Sequence, residues 1–331
     1  MPAAAVAIVL SAVAGLAGPD PAVRAARIDA ALRVAERNAP RADSATPGEV
    51  LHWIIAFGPD ARLPDPRTGG TVSALGRLSD MTYNGAPAFL EVPGGIAAPT
   101  SEGHRDQMLA KLGRAGVPLS HPVMAGGRRH TLADLLSAAM RAASTDGEVS
   151  WTLLAMCAHL PIDAEWKTAS GRTMDIPTLL EAELRSDPPR AACGGCHGLH
   201  AVAFALQRAR IAGVPVRGVW RRAQDRIDEY VRRAREARNP DGSFSEDWFA
   251  VPPTPPRDDA WLIHTTGHVL EWLLLTLDDQ AVRQEWIGRA ADALADAVIR
   301  HDDKPLGKTS LAHAAHALLL YRQRVIDARR R

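Results

Sequence analysis

Neither sign of charge dominates this sequence: 39 Lys and Arg stand against 38 Asp and Glu, a formal net charge of +1. No global field therefore draws the chain to nucleic acid or to an anionic membrane. Beyond the first residues there is no uninterrupted apolar run of about 18 residues, which excludes a membrane-spanning helix and predicts no stable membrane insertion. Strand-like alternation is scarce, and no nucleophile elbow, phosphate-binding loop or pair of catalytic carboxylates can be read. Cysteine is confined to Cys157, Cys193 and Cys196. At 46% hydrophobic and 23% charged residues, the composition excludes both a disordered chain and a polytopic membrane protein.

What is present begins with the apolar run Ala3 to Leu16, too short for a bilayer and of signal-peptide length, with Ala12-Val13-Ala14 as a small-x-small cleavage pattern. A positively charged leader segment is missing from it. The expectation is an exported protein, periplasmic or extracellular, with a signal peptide over residues 1–18, one α/α toroid domain over 19–325 and a basic tail over 326–331. The five arginines between Arg322 and Arg331 read as a solvated end.

Helical periodicity recurs along the rest of the chain. Helices are predicted over 21–38, 48–57, 102–114, 131–144, 148–160, 176–186, 196–212, 216–238, 262–276, 280–301 and 310–324, with the Gly- and Pro-rich region 58–100 mostly loop. Gly127-Arg128, followed by Leu132, Leu135, Leu136 and Ala138, recurs 44 residues later as Gly171-Arg172, followed by Ile176, Leu179, Leu180 and Ala182. Ala115-Gly116-Val117-Pro118 recurs as Ala212-Gly213-Val214-Pro215. Periods of about 40 to 50 residues suit stacked helical hairpins. Helices near 131, 216 and 280 are charged on one face, as an outer layer would be, whereas those starting near 48, 102, 148, 196, 262 and 310 are more uniformly apolar. The fold class expected is all-α: about six helical hairpins closed into an α/α toroid.

Histidines concentrate near the starts of the apolar helices: His104, His197, His200, His264, His268, His313 and His316. If those helices run parallel, the histidines meet at a cavity mouth, beside helix N-termini that favour an anion. Three chemistries compete there. Cys193-Gly194-Gly195-Cys196-His197 has the spacing of a c-type haem attachment site, with Cys193, Cys196 and His197 as its cofactor-binding residues; a Cys193–Cys196 disulfide is the rival reading. His197, His264, His268, His313 and His316 form a candidate zinc ligand set, with i, i+3 and i, i+4 spacings on their helices. Metal-free catalysis would use His197 or His268 as base or acid, with Glu271 orienting an imidazole. Tyr83, Tyr230, Glu246 and Asp247 are further assistants without fixed geometry. Asn239 to Phe244 reads as a turn, and Glu246 to Asp259 as either a lid anchored by Trp248 and Phe249 or a surface loop.

Several segments are similar to a family of uncharacterised exported proteins common in planctomycetes: Cys193-Gly194-Gly195-x-His197, Asn239 to Ser245, Thr265-Thr266-Gly267-His268 with Glu271-Trp272-Leu273, and His313-Ala314-Ala315-His316 with Leu320-Tyr321. His104-x-x-Gln107 and Ser150-Trp151 fit the same pattern, and the resemblance covers residues 100–325. That family carries no established activity, and its usual Thr at the position of Cys196 weakens the haem reading. More distantly, the hairpins and the Asp241-Gly242-Ser243-Phe244 turn resemble terpenoid cyclases and protein prenyltransferase β subunits, although the acidic cluster of squalene cyclases is missing. Cys196-His197-Gly198 matches half of the zinc motif of lanthipeptide cyclases. Cys157, deep in its helix, does not supply the other half. The functional expectation is a His-rich cavity that binds a small molecule or carbohydrate, as a hydrolase or lyase; a non-catalytic binding or scaffold protein is the alternative.

Overall fold

The computed structural model describes residues 20–99, 103–302, 304 and 306–329. The signal-peptide expectation falls on residues outside that set. The described residues form twelve α-helices: α1 (Pro21–Arg37), α2 (Pro47–Phe57), α3 (Ala74–Asp80), α4 (Gln107–Arg114), α5 (Leu132–Ala142), α6 (Ser150–His159), α7 (Ile176–Glu183), α8 (Cys196–Ile211), α9 (Val219–Glu236), α10 (Asp259–Thr276), α11 (Glu285–Arg300) and α12 (Lys308–Tyr321). Eleven overlap the predicted helices; α3 lies in the stretch read as loop.

The all-α toroid is corrected by five two-stranded antiparallel sheets among the described residues, in a chain that is 56% helical, and closure into a toroid is not shown. The strands are β1 (Arg62–Asp65) with β2 (Gly70–Ser73), β3 (Thr82–Tyr83) with β4 (Ala86–Pro87), β5 (Leu90–Val92) with β6 (Gly95–Ala97), β7 (Pro122–Ala125) with β8 (Arg128–Thr131), and β9 (Glu165–Lys167) with β10 (Thr173–Asp175). No strand exceeds four residues, so the alternating pattern that betrays a strand never has the length to emerge.

These hairpins explain the internal repeat. Gly127 and Gly171 sit in hairpin turns at φ 75° and 80°, a left-handed conformation that glycine reaches without a Cβ penalty. Four residues on, Thr131 and Asp175 end the returning strand and cap the next helix. A third copy exists: Gly69 (φ 71°) turns β1 into β2, and Ser73 caps α3 by accepting from the Gly76 N–H at 3.0 Å. The repeated unit is a β-hairpin feeding a capped helix, not a helical hairpin. Asp175 caps α7 by accepting from the Thr178 N–H at 2.7 Å, and the Thr131 N–H donates to Asp134 at 2.8 Å.

Two kinds of helix are distinguishable by burial. α9 buries one stripe, Trp220, Ala223, Ile227, Tyr230 and Ala234, spaced for a single helical face. α10 is buried nearly all round from Leu262 to Leu274. The buried kind packs in sequence, α4 on α6, α6 on α8, α8 on α10 and α10 on α12, with α2 against both α4 and α12. α10 and α12 pack closely where Gly267 faces Ala314: a Cβ on Gly267 would stand 3.2 Å from the Ala314 backbone N. On the far side, Arg24 of α1 is buried and donates to Asp292 of α11 at 2.8 and 3.0 Å, to Glu285 at 3.1 Å and to the Tyr321 hydroxyl of α12 at 3.3 Å. Val325 and Ile326 are buried, and Arg322 and Arg324 pair with Asp29 and Asp279, which fastens this segment to α1 and to the loop after α10.

Candidate active site

A cavity of about 250 Å³ lies among α2, α4, α6, α8, α10 and α12. One wall is apolar, with Ile55, Leu154, Leu275 and Leu320. The other is built from imidazoles. Helical spacing puts His268 and Glu271 on one face of α10, and His313 and His316 on the facing side of α12. Glu271 accepts a hydrogen bond from Nδ1 of each of these two histidines at 2.5 Å, one per carboxylate oxygen. Both rings thereby have their Nδ1 protonated and their Nε2 as the remaining nitrogen.

The close passage of α10 and α12 brings the His268 and His313 rings to 3.9 Å. His313 also meets His52 of α2, edge-on at 4.9 Å, and His268 lies 6.1 Å from His197 of α8. His268 donates from Nδ1 to the His264 carbonyl at 2.7 Å, and His52 donates from Nδ1 to the Gly48 carbonyl at 2.7 Å, so in each neutral ring Nε2 is the acceptor nitrogen. Lys111 of α4 donates to His52 Nε2. Trp151 of α6 packs against His197 at 4.7 Å, and His104, bonded to Glu148 at 2.6 Å, stands perpendicular to His197 at 5.3 Å.

Burial sets the protonation of this cluster. It pushes His52, His197 and His268 well below the usual imidazole range, helped at His52 and His197 by Lys111 and at His268 by His313. His200 falls to about 3 through burial and the nearby Arg114, and His264 to about 4 through burial and His313. These rings are neutral at pH 7. Glu271 goes the other way: burial would raise it, but His313 and the two imidazole hydrogen bonds win and hold it well below the carboxylate range.

Several cavity-lining groups have buried polar atoms with no hydrogen-bond partner: Arg114 Nε, Trp151 Nε1, Trp272 Nε1, His197 Nδ1 and His200 Nε2. Of these, the guanidinium and the two indoles are donors that no acceptor of the protein satisfies, whereas buried donors are nearly always paired.

His197, His268, Glu271, His313 and His316 all line the cavity. His268 and His313 stand more than a turn inside their helices, whereas Cys196, His197 and Trp151 reach the cavity from the first turns of α8 and α6. His264 does not line the cavity: it packs edge-on against the His268 ring at 4.7 Å, bonded to Ser310 at 3.0 Å and set between Trp248 and Trp261. The five-histidine zinc set is therefore not assembled around one point. Tyr230 packs on Phe249, Glu246 pairs with Arg257, Asp247 accepts from Thr254, and Tyr83 lies in β3; none lines the cavity. His52, Lys111 and Arg114 are the residues that sequence reasoning missed. Lys111 did carry a signal, as a cation inside the apolar run Leu109 to Leu112.

The Cys193 segment is a tight turn. Cys193, Gly194 and Gly195 have φ of 50°, 60° and 78°, and a Cβ on Gly194 or Gly195 would strike the Trp248 ring at 2.2 Å or Pro188 at 2.4 Å. No disulfide joins Cys193 and Cys196. Cys196 begins α8 in the core, 4% exposed, with its thiol pushed well above its ordinary pKa by burial. Covalent haem does not fit. The Cys196 sulfur has no open porphyrin-sized face before it, and the adjoining cavity of about 250 Å³ is smaller than pockets that take drug-sized ligands. Asn239 to Phe244 is a structural turn, closed by Asn239 on Ser243 and Phe244 and tied to α10 through Thr266. Trp248 and Phe249 are both inserted, Trp248 over His264 and His268 and Phe249 against Trp272.

Comparison with known protein families, with curated proteins and with solved structures finds no match. Among the described residues no helix is long and apolar enough to cross a membrane.

Proposed function

We propose that this cavity is the active site of a hydrolase or lyase that moves a proton on a small carboxylate-bearing molecule, an acidic sugar or the end of an acidic saccharide chain included. The observation that carries the reading is Glu271, ionised and shared between His313 and His316. A carboxylate that holds Nδ1–H raises the basicity of Nε2 and fixes its direction, the arrangement that general-base catalysis requires. Lys111 and Arg114 supply buried positive charge at the same cavity, suited to a substrate carboxylate or to the negative charge that develops when a neighbouring proton is removed. The unpartnered indole and guanidinium donors point to the same acceptor-rich substrate.

Proton abstraction can be read without knowing the complete reaction. Small hydroxy acids and sugar acids are incubated with the protein in D₂O, and exchange of carbon-bound hydrogen is followed by proton NMR. At least one acid should exchange, and Glu271→Gln should slow that exchange by about 10²- to 10⁴-fold, the usual contribution of a positioned base. Equal exchange in both proteins would refute the role of Glu271. Binding of acids without exchange would favour a non-catalytic binding protein instead. The apolar run Ala3 to Leu16 supports the further proposal that the enzyme works outside the cytoplasm, which N-terminal sequencing of protein from its host would test.

A further inference from the structure

We infer that Cys193, His197 and His268 form a binding site for a single zinc-class metal ion at the edge of the cavity. One sulfur and two imidazole nitrogens lie within 4.8 Å of one another, contributed by the turn before α8, the first turn of α8 and the middle of α10. The inference deepens the reading of the cavity as a reactive site and names a cofactor for it.

Three independent features support a built site. His268 has its Nδ1–H committed to the His264 carbonyl at 2.7 Å, the outer-shell bond that aims the opposite nitrogen of a metal-binding imidazole. His197 has its Nδ1 sealed from solvent with no hydrogen-bond partner, a buried polar atom that a bond from that nitrogen to an ion would satisfy. Cys193 occupies a left-handed backbone conformation at φ 50°, unfavourable for a residue with a Cβ. Gly194 and Gly195 follow, also at positive φ and packed under Trp248 and Pro188 so closely that neither tolerates a side chain. The turn thus holds the Cys193 sulfur near the two imidazoles at a cost in backbone energy.

One thiolate and two imidazoles form a borderline-soft donor set that suits zinc or cobalt and disfavours magnesium or calcium. Three protein ligands leave a fourth position for water or substrate, the pattern of catalytic zinc. That position would be beside the His313 ring, which stacks on His268 at 3.9 Å. His104, Glu148 and His197 also gather within 4.8 Å of one another, but His104 and Glu148 are joined by a 2.6 Å bond. That pair is better suited to orient His197 than to hold an ion. Binding would release the Cys193 thiol proton to solvent as the thiolate ligates the ion.

The test uses the full chain freed of metal with a chelator and titrated with Co²⁺. The expected result is saturation at one equivalent, with a thiolate-to-cobalt charge-transfer band in the near ultraviolet and intense tetrahedral d–d bands in the visible. Cys193→Ser should abolish the charge-transfer band while leaving the helical circular dichroism unchanged. His268→Ala should weaken cobalt binding by more than the roughly 10- to 100-fold that loss of an outer-shell partner costs. Cys196→Ala and Glu271→Gln should keep the band. Absence of stoichiometric binding, persistence of the band in Cys193→Ser, or its loss in Cys196→Ala but not in Cys193→Ser would each overturn the site. Proton exchange that survives both chelation and Cys193→Ser would overturn the metal's part and leave the Glu271 base standing. Cobalt binding in a protein that exchanges no substrate proton would do the reverse.

Discussion

Replacing Gly267 by Ala tests the contact that joins the fold to its site. At this mid-helix position Ala is favoured over Gly by about 1 kcal/mol through helix propensity and chain entropy. Against that, the new methyl would meet Ala314 N at 3.2 Å, its Cα at 3.3 Å and its Cβ at 3.5 Å. Two of those atoms are backbone, so relief requires α12 to move as a body by a few tenths of an ångström. Overpacking of this kind costs about 1–3 kcal/mol, giving a net loss of about 0–2 kcal/mol. Gly267→Val adds two more methyl groups and should lose more. Because His268 and Glu271 flank this contact on α10, and His313 adjoins Ala314 on α12, the shift should also stretch the 2.5 Å bond from His313 to Glu271 and slow proton exchange. Chemical denaturation measures the stability, and NMR in D₂O measures the exchange. An Ala variant more stable by about 1 kcal/mol, with unchanged exchange, would refute both the tight approach and its link to the site.

Arg24→Met removes the cation shared by the buried Asp292, the Tyr321 hydroxyl and the half-exposed Glu285; because Arg27 still pairs with Asp292 at 3.3 Å, the cost in urea unfolding should be about 1.5–3 kcal/mol, the worth of hydrogen bonds to a charged group, and a loss below 1 kcal/mol would contradict the burial. Lys111→Met should weaken the binding of small carboxylates by roughly ten- to a hundredfold in calorimetry, because hydrogen bonds to charged groups are worth about 1.5–3 kcal/mol. Glu183 is buried beneath Ser150 and Ser186, and burial raises its pKa. A carboxyl raised in the folded state favours folding most below its unfolded pKa and loses that contribution as pH rises through the folded value. Glu183→Gln should therefore flatten that part of the stability profile, and an unchanged slope from acid to neutral pH would argue against the shift.

The helices were readable because their apolar periodicity extends over eight to eighteen residues. Gly127 and Gly171 were read correctly as a repeat but assigned to the wrong unit. The strands around them are three or four residues long, and what gives them away is a left-handed turn glycine four residues before a capping Ser, Thr or Asp. That signal also finds Gly69 and Ser73, in the region taken for loop. His268, Glu271, His313 and His316 were recognisable as ligand-like pairs at helical spacing. Their actual partnership runs between helices, and nothing in either helix alone says that one carboxylate serves two imidazoles. His52 has no local cue, being one imidazole within the otherwise apolar run Val50 to Phe57, and its role comes from Lys111, 59 residues away. Cys193 was noticed for a haem spacing it shares with Cys196. The three-dimensional turn separates them, sending Cys196 into the core and leaving Cys193 beside His197 and His268.

The account stands most directly on the nitrogen that Glu271 prepares. Long-range ¹H–¹⁵N correlation spectra of the imidazoles should show His313 and His316 at pH 7 with protonated Nδ1 and, in at least one ring, an unprotonated Nε2 that shifts when a small carboxylate binds. Nε2-protonated tautomers in both rings, unaffected by Glu271→Gln, would contradict the account.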